Sequence, residues 1–317
     1  MNKNISPLTK LLLPIDINLN WNRIVELASS ITSTVKNRIE LVTILHVMKG
    51  RFLSQHMTNI DFRVDEILKS ESFKELKQQF IDKEITPVLE KIENRFRELD
   101  GNTPVEKLVK DGKVAEQIYN TAIEGNYSTI VMERRGLSPV KEMILGSVTE
   151  DLLHRDLNVT FYLAGKELPK PGQCPVKTTI ICADGSEASK AAIKEASILI
   201  SARKEEVNKV LLMRVIDLAS YEEQIEKGES PEKKAHEILD EAKDTMVSLG
   251  VPKNLIELKW FYGDPVEVIS TEAEKNKVDM VFMGRTGRSA IADLILGSVT
   301  RGVIHHCQTP TLVITNK

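Results

Sequence analysis

Long apolar runs and cysteines are both scarce in this chain of 317 residues. No apolar run approaches the roughly 20 residues that a membrane span needs, and residues 1–10 lack the apolar core of a signal peptide. The three cysteines form no CxxC pair and no metal-ligand spacing. We therefore expect a cytoplasmic protein that does not bind membranes.

An excess of charge of one sign is also absent. The 43 basic side chains nearly balance the 46 acidic ones, so the formal net charge is −3. This balance gives no broad electrostatic attraction to nucleic acid or to anionic membranes. The adjacent pair His305 and His306 predicts no metal site, because neighbours on a helix point about 100° apart.

The two halves of the chain repeat each other. Residues 142–149 read EMILGSVT and residues 293–300 read DLILGSVT, 151 positions apart. Nearer the start of each half, Asp16 and Asp184 are 168 positions apart. Self-similarity of this kind predicts a tandem repeat. The first half carries an insertion of 17 residues, which lies between about 48 and 111.

Each half alternates strand-like and helix-like periods. Strands separated by helices of this length predict a parallel sheet built from βαβ units. In the second half we predict strands at 178–183, 209–215, 256–261, 279–283 and 311–314, and helices at 187–200, 231–249, 265–276 and 298–306. The first half repeats this order and ends with a strand at 160–163.

The segment between the halves is rich in proline and glycine, as linkers are. We therefore predict a first domain at 1–165, a linker at 166–175 and a second domain at 176–317. The insertion of the first domain has a helical apolar period, which Pro87 must kink or restart. Its charges are mixed in sign, so it is either a solvated outer face or an arm that binds a protein partner.

The second half contains the pattern that carries chemistry. A strand leads to Gly284, and Gly287 follows after two residues; nine residues later come Gly297 and Ser298 at the start of a helix. Glycines let backbone N–H groups approach an anion, and a helix start offers unsatisfied N–H groups. The loop also contains Arg285 and Arg288, which could neutralise the charge of a phosphate.

Asp184 follows the first strand of the second half. In a parallel α/β sheet, ligands bind beyond the carboxyl ends of the strands. A carboxylate there can accept hydrogen bonds from ribose hydroxyls or an adenine amine. The alternative is that Asp184 only caps the helix that begins near Ser186 or Glu187.

These motifs resemble the universal stress protein family, and the resemblance covers nearly all of both halves. The spacing Gly-x2-Gly-x9-Gly-Ser matches the ATP-binding branch of that family. The resemblance implies two tandem Rossmann-like (adenine nucleotide α-hydrolase-like) domains, each with a five-stranded parallel sheet and flanking helices. The ligand it implies is ATP, or else ADP or AMP, with Mg²⁺ bound only together with the nucleotide.

The same resemblance implies roles for individual residues. Asp184 and the backbone at Val215 would hold the adenosine, Met283 would line the pocket, and residues 298–300 would contact phosphates. The nucleotide-binding set that follows comprises Ala183, Asp184, Val215, Met283, Gly284, Arg285, Gly287, Arg288, Gly297, Ser298, Val299 and Thr300. The last strands, at 161–163 and 312–314, are expected to pair within one chain, and tandem chains are expected to form homodimers.

The first half departs from the pattern. Glu133 replaces the first glycine, which places a carboxylate where nucleotide and backbone should meet. Such a charge near a phosphate costs affinity unless a metal or an arginine intervenes. Ser147 and Glu150 also form a capping box, so the helix start would satisfy itself. We expect the degenerate site to be empty, weak or altered in ligand; its residues are Asp16, Val47, Gly136, Gly146 and Ser147.

Three functions follow from the sequence. The first is a stress-response regulatory protein in which ATP acts as a ligand; the chain has neither a Walker A motif nor a His-x-Gly-His motif. The second is a slow ATPase or a self-phosphorylating enzyme, in which Asp184 positions Mg²⁺ and Ser298 or Thr300 accepts a phosphoryl group. The third is a non-catalytic scaffold that binds a protein partner through the first domain.

Overall fold

Ten strands form a single sheet in the described part of the chain. The computed structural model describes residues 6–36, 38–48, 71–134, 145–217, 221–222, 225–226, 228, 230–287 and 296–316. The strands are β1 (Lys10–Pro14), β2 (Leu41–Met48), β3 (Val105–Asp111), β4 (Thr129–Glu133), β5 (Thr160–Ala164), β6 (Thr178–Cys182), β7 (Lys209–Ile216), β8 (Ile256–Tyr262), β9 (Met280–Gly284) and β10 (Thr311–Thr315).

Helices cover both faces of this sheet. Among the described residues they are α1 (Asn22–Thr34), α2 (Glu71–Phe80), α3 (Thr86–Asp100), α4 (Val114–Glu124), α5 (Ser147–Leu153), α6 (Glu187–Ala202), α7 (Pro231–Ser248), α8 (Pro265–Lys275) and α9 (Ser298–His306). A π-helical turn at Ile81–Ile85 joins α2 to α3, and Pro87 lies in the first turn of α3. The predicted break at Pro87 is therefore confirmed. No helix within the described ranges is long and apolar enough to cross a membrane.

The sheet has the order β3-β2-β1-β4-β5-β10-β9-β6-β7-β8. All neighbouring strands within the first half (β1–β5) and within the second half (β6–β10) are parallel. In each half the first strand lies beside the fourth, so the strand order reverses between them. That reversal opens a crevice beyond the carboxyl ends of β1 and β4, and another beyond β6 and β9. The predicted α/β fold with two repeated units is confirmed.

One antiparallel pair joins the halves. Leu163 lies opposite Leu312, Tyr162 opposite Val313 and Phe161 opposite Ile314, and all six side chains are buried. The expectation that the last strands pair within one chain is confirmed. Because this pair makes the sheet continuous, we expect the two halves to share their cores.

Two apolar layers run across both halves. Alternate residues of a strand face opposite sides of a sheet, so Leu11 and Leu13 pack in one layer and Leu12 in the other. The first layer holds α1, α3, α6 and α7, and the second holds α4, α5, α8 and α9. Each layer contains side chains from both halves. The chain therefore folds around two continuous cores that extend across the β5–β10 junction.

A buried polar contact crosses the junction in the first layer. The Tyr162 hydroxyl on β5 donates to Glu195 Oε1 on α6 over 2.8 Å. Burial raises the pKa of Glu195 to about 7, and the hydrogen bond from Tyr162 opposes that rise. The contact fixes a helix of the second half against a strand of the first.

Two arginines cross the junction in equivalent places. Arg285 is buried, and its guanidinium donates to the carbonyl oxygens of Arg155 and Leu157 in the first half. Arg134, which is 151 positions earlier, donates to the carbonyl oxygens of Cys307 and Pro310 in the second half. Burial lowers the pKa of Arg134 to about 10 and also lowers the pKa of Arg285. Each half therefore donates one buried arginine to backbone carbonyl oxygens of the other half.

We predict that Arg285→Ala destabilises the whole chain. The substitution leaves the carbonyls of Arg155 and Leu157 without this donor, which costs about 1–3 kcal/mol. Urea unfolding measures the loss. Arg97→Ala is the matched control, because Arg97 pairs with Glu93 at the surface and such pairs contribute less than about 1 kcal/mol. Equal unfolding midpoints for the two variants would contradict a stabilising role of Arg285 at the junction.

Candidate nucleotide site

The predicted site residues of the second half gather at the crevice beyond β6 and β9. β6 ends at Cys182 and β9 ends at Gly284. Asp184 is partly exposed beyond β6. A Cβ atom on Gly287 would lie 3.0 Å from Asp184 Oδ2, and one on Gly297 would lie 3.7 Å from the Gly287 nitrogen. The structure therefore brings together Asp184 and the motif glycines that the sequence paired.

Asp184 does not cap the following helix. Its Oδ1 accepts a hydrogen bond from the Ser186 backbone N–H over 2.9 Å. The helix cap is Ser186, whose hydroxyl oxygen accepts from the Ser189 N–H over 3.2 Å. Asp184 Oδ2 faces Gly287 across the crevice, where it is placed to accept a ligand hydrogen bond. The sequence left these two roles open for Asp184, and the structure gives the cap to Ser186.

Gly284 is required by packing as well as by the motif. A Cβ atom there would lie 2.8 Å from the Ser189 nitrogen and 2.9 Å from the Ala188 carbonyl carbon. These distances are shorter than ordinary van der Waals contacts, so any larger residue must push α6 away from β9. The glycine lets the first turn of α6 rest directly on the strand end.

Among the described residues, the first backbone N–H groups of α9 have no intrahelical partner. Gly297 is the cap residue and supplies no side-chain bond to the helix. The first intrahelical bond runs from the Arg301 N–H to the Gly297 oxygen over 3.0 Å. The N–H groups of Ser298, Val299 and Thr300 precede it, and the Ser298 side chain is exposed. An anion fits such a helix start without further donors.

Two of the predicted nucleotide-binding residues, Thr300 and Arg285, use their side chains within the protein. The Thr300 hydroxyl is buried and donates to the Gly284 oxygen over 2.9 Å, which leaves only the Thr300 backbone N–H for a phosphate. The Arg285 guanidinium points into the junction with the first half, so it does not reach the crevice. Arg288 lies outside the described residues.

The remaining predicted residues lie at or near the ends of the strands of the second half. Ala183 and Met283 are buried, and Val215 is partly buried near the end of β7. Ala183 packs in the first apolar layer and Met283 in the second, so the two side chains lie on opposite faces of the sheet.

The first half builds a different site from the same frame. Asp16 Oδ1 accepts from the Asn18 N–H over 3.1 Å, as Asp184 does from Ser186. The Thr149 hydroxyl donates to the Glu133 backbone carbonyl oxygen over 3.2 Å, as the Thr300 hydroxyl does to the Gly284 carbonyl oxygen. The difference lies at α1, which begins three residues later than the repeat offset from α6 predicts. That later start leaves room for the Glu133 side chain.

Glu133 has a partner that the sequence reading missed. Arg23 Nε lies 3.3 Å from Glu133 Oε1, and both side chains are partly buried. Burial raises the pKa of Glu133, and the charge of Arg23 opposes that rise. No motif or spacing linked these two residues, because they come together only through the displaced start of α1.

The capping box predicted in the first half is wrong. The cap of α5 is Gly146, and Ser147 is the first residue within the helix, without a side-chain capping bond. Ser147 is instead exposed at the mouth of a cavity that Asp16, Val47 and Gly146 also line. Gly136 lies outside the described residues.

Comparison with known proteins agrees with this architecture. The model of the universal stress protein family matches the chain twice, over residues 10–155 and 175–315. A universal stress protein of Methanocaldococcus jannaschii is 30% identical over 149 residues, which is 45% of this chain and 84% of that protein. The chain belongs to the universal stress protein family and carries two of its domains in tandem.

Solved structures show the same arrangement. A universal stress protein of Archaeoglobus fulgidus aligns with a TM-score of 0.65 at 19% identity, over 97% of this chain and 98% of its own. A universal stress protein solved in complex with cAMP is 25% identical over 44% of this chain and 97% of its own, with a TM-score of 0.35. The alignment over the whole length supports the two-unit fold.

We predict that Gly284→Ala destabilises the second half before it affects any ligand. Overpacking of this kind typically costs about 1–3 kcal/mol. The comparison variant is Gly297→Ala, whose Cβ would meet its nearest neighbour at 3.3 Å and should lower the melting temperature less. Calorimetric melting without ligand measures both. An unchanged melting temperature for Gly284→Ala would show that the glycine serves the ligand alone.

Proposed function

We propose that this chain is an adenine-nucleotide-binding regulatory protein of the stress response, and that its nucleotide, ATP or else ADP or AMP, binds in the second half. The observation that carries this proposal is the start of α9. Three backbone N–H groups there lie beside motif glycines, across from the Asp184 carboxylate. Phosphates would bind the N–H groups, and Asp184 would accept from the ribose or the adenine amine.

Backbone groups would do most of the phosphate binding. Arg285 is held in the junction, and among the described site residues the α9 amides are the donors that face the crevice. Charge on the phosphates would then be offset by a Mg²⁺ ion that arrives with the nucleotide. Within the described residues, no cluster of three or more His, Cys, Asp or Glu side chains could hold a metal by itself. Asp184 is the carboxylate that such an ion would meet first.

The nucleotide would act as a ligand rather than as a substrate. Of the two hydroxyls that a self-phosphorylating enzyme would use, that of Thr300 is buried and donates to Gly284. Ser298 is exposed, and within the described ranges no His, Asp or Glu hydrogen-bonds to it as a base. Binding would instead stiffen the contact between α6, β9 and α9, which are the elements that meet at the crevice.

We predict that Ser298→Asp weakens ATP binding without unfolding the chain. An acidic residue in the first turn favours a helix, but its charge would repel a phosphate there and weaken ATP by at least about tenfold. Ser147→Asp makes the same change at the equivalent position of the first half and should leave ATP affinity within about threefold. Titration calorimetry of nucleotide-stripped protein with ATP and Mg²⁺ measures both variants.

Two outcomes would contradict the proposal. If Ser298→Asp binds ATP as the parent chain does, the start of α9 is not the phosphate site. If Ser147→Asp loses binding and Ser298→Asp keeps it, the nucleotide binds in the first half.

A further inference from the structure

A cavity of about 380 Å³ opens at the carboxyl ends of β1 and β4. Its volume lies within the range of small-molecule sites, which is about 300–1,000 Å³. Its walls are mostly apolar and include Ile15, Ile24, Leu45, Val47, Ile118 and Met132. A largely apolar cavity of this size is suited to a ring-bearing ligand.

The polar side chains of this cavity are unsuited to phosphate. Two carboxylates line it, Asp16 and Glu133, against a single described cation, Arg23. Each nitrogen of the Arg23 guanidinium has a contact within the protein: Nε lies 3.3 Å from Glu133 Oε1, Nη1 donates to the Lys166 carbonyl oxygen over 3.3 Å, and Nη2 donates to the Gly165 carbonyl oxygen. A phosphate placed beside Glu133 would meet a like charge whose counter-ion is already in use.

The frame that holds Asp16 is the same as the frame that holds Asp184. Both carboxylates accept from the backbone N–H two residues later, and both follow the first strand of their half. Trp21, which is partly exposed, adds an aromatic side chain at the cavity wall. A base can stack on an indole, and a ribose hydroxyl or a base amine can donate to a carboxylate.

We propose that the first-half cavity is a second ligand site, which binds an unphosphorylated nucleoside and excludes nucleotides, and that the Glu133–Arg23 pair sets this specificity. The role of Asp16 in this site rests on the function proposed for Asp184. The exclusion of phosphate does not, because it follows from Glu133 and Arg23 alone. The two halves would then respond to different forms of one compound class, one phosphorylated and one not.

Tryptophan fluorescence can observe this site separately from the other. The chain has two tryptophans. Trp260 lies on the edge strand β8, where its indole nitrogen donates to His236 Nε2. The Trp260→Phe variant therefore leaves Trp21 as the sole reporter. We expect adenosine to change Trp21 fluorescence with saturation, and ATP to leave it unchanged over the same concentrations.

The specificity is tested by Glu133→Gln in the Trp260→Phe background. Glutamine keeps the shape of the side chain and removes its charge. We expect ATP to change Trp21 fluorescence at a concentration at least about tenfold lower than in the Trp260→Phe chain. The midpoint for adenosine should move less than about threefold. Glu98→Gln is the matched control at the surface, where Glu98 accepts from Arg95 on the same helix. It should change neither curve.

Calorimetric binding of ATP to the second half is recorded on the same samples, so the two proposals fail separately. The inference is overturned if ATP saturates the Trp21 signal as tightly as adenosine does in the Trp260→Phe chain. It is also overturned if adenosine leaves Trp21 unchanged while calorimetry still detects ATP. Loss of the calorimetric signal alone, with the Trp21 response to adenosine retained, would refute the function proposed for the second half and leave this inference standing.

Discussion

The antiparallel pairing of β5 and β10 is the constraint on which the rest of the structure depends. Three residue pairs turn two five-stranded sheets into one of ten strands, and the apolar layers on both faces then run across the junction. The buried contact of Tyr162 with Glu195 and the two crossing arginines are possible only because that pairing fixes the halves in register. The halves are therefore one cooperative body rather than two domains on a tether.

The junction also determines which groups are left for a ligand. It uses Arg134 and Arg285, the cations that immediately follow β4 and β9, so neither of these side chains is left to bind a ligand in the crevices. In the second half Gly284 lets α6 pack on the strand end, and the longer helix α9 presents its amides. In the first half the late start of α1 admits Glu133, and Arg23 neutralises it. One frame thus gives two crevices with different residues at equivalent positions.

Much of this fold could be predicted from the repeat, because periodicity and offset report which residues are buried and which positions are equivalent. The helix at 298–306 followed from that information, whereas the pairing of the last strands followed from the resemblance to the universal stress protein family. The role of Arg285 did not, since spacing cannot tell whether a side chain points toward a crevice or into a junction. The matching arginine 151 positions earlier was the signal that could have placed it. The capping box at Ser147 was predicted wrongly because it depends on which residue is the N-cap of the helix. Sequence patterns do not resolve that position to a single residue.

The central claim is that a symmetric frame holds asymmetric sites, and counting bound nucleotide tests it most directly. Native mass spectrometry of the full chain, equilibrated with saturating ATP and Mg²⁺, gives the number of ATP molecules per chain. We predict one. Two ATP molecules per chain would show that Glu133 does not exclude phosphate and would contradict the account.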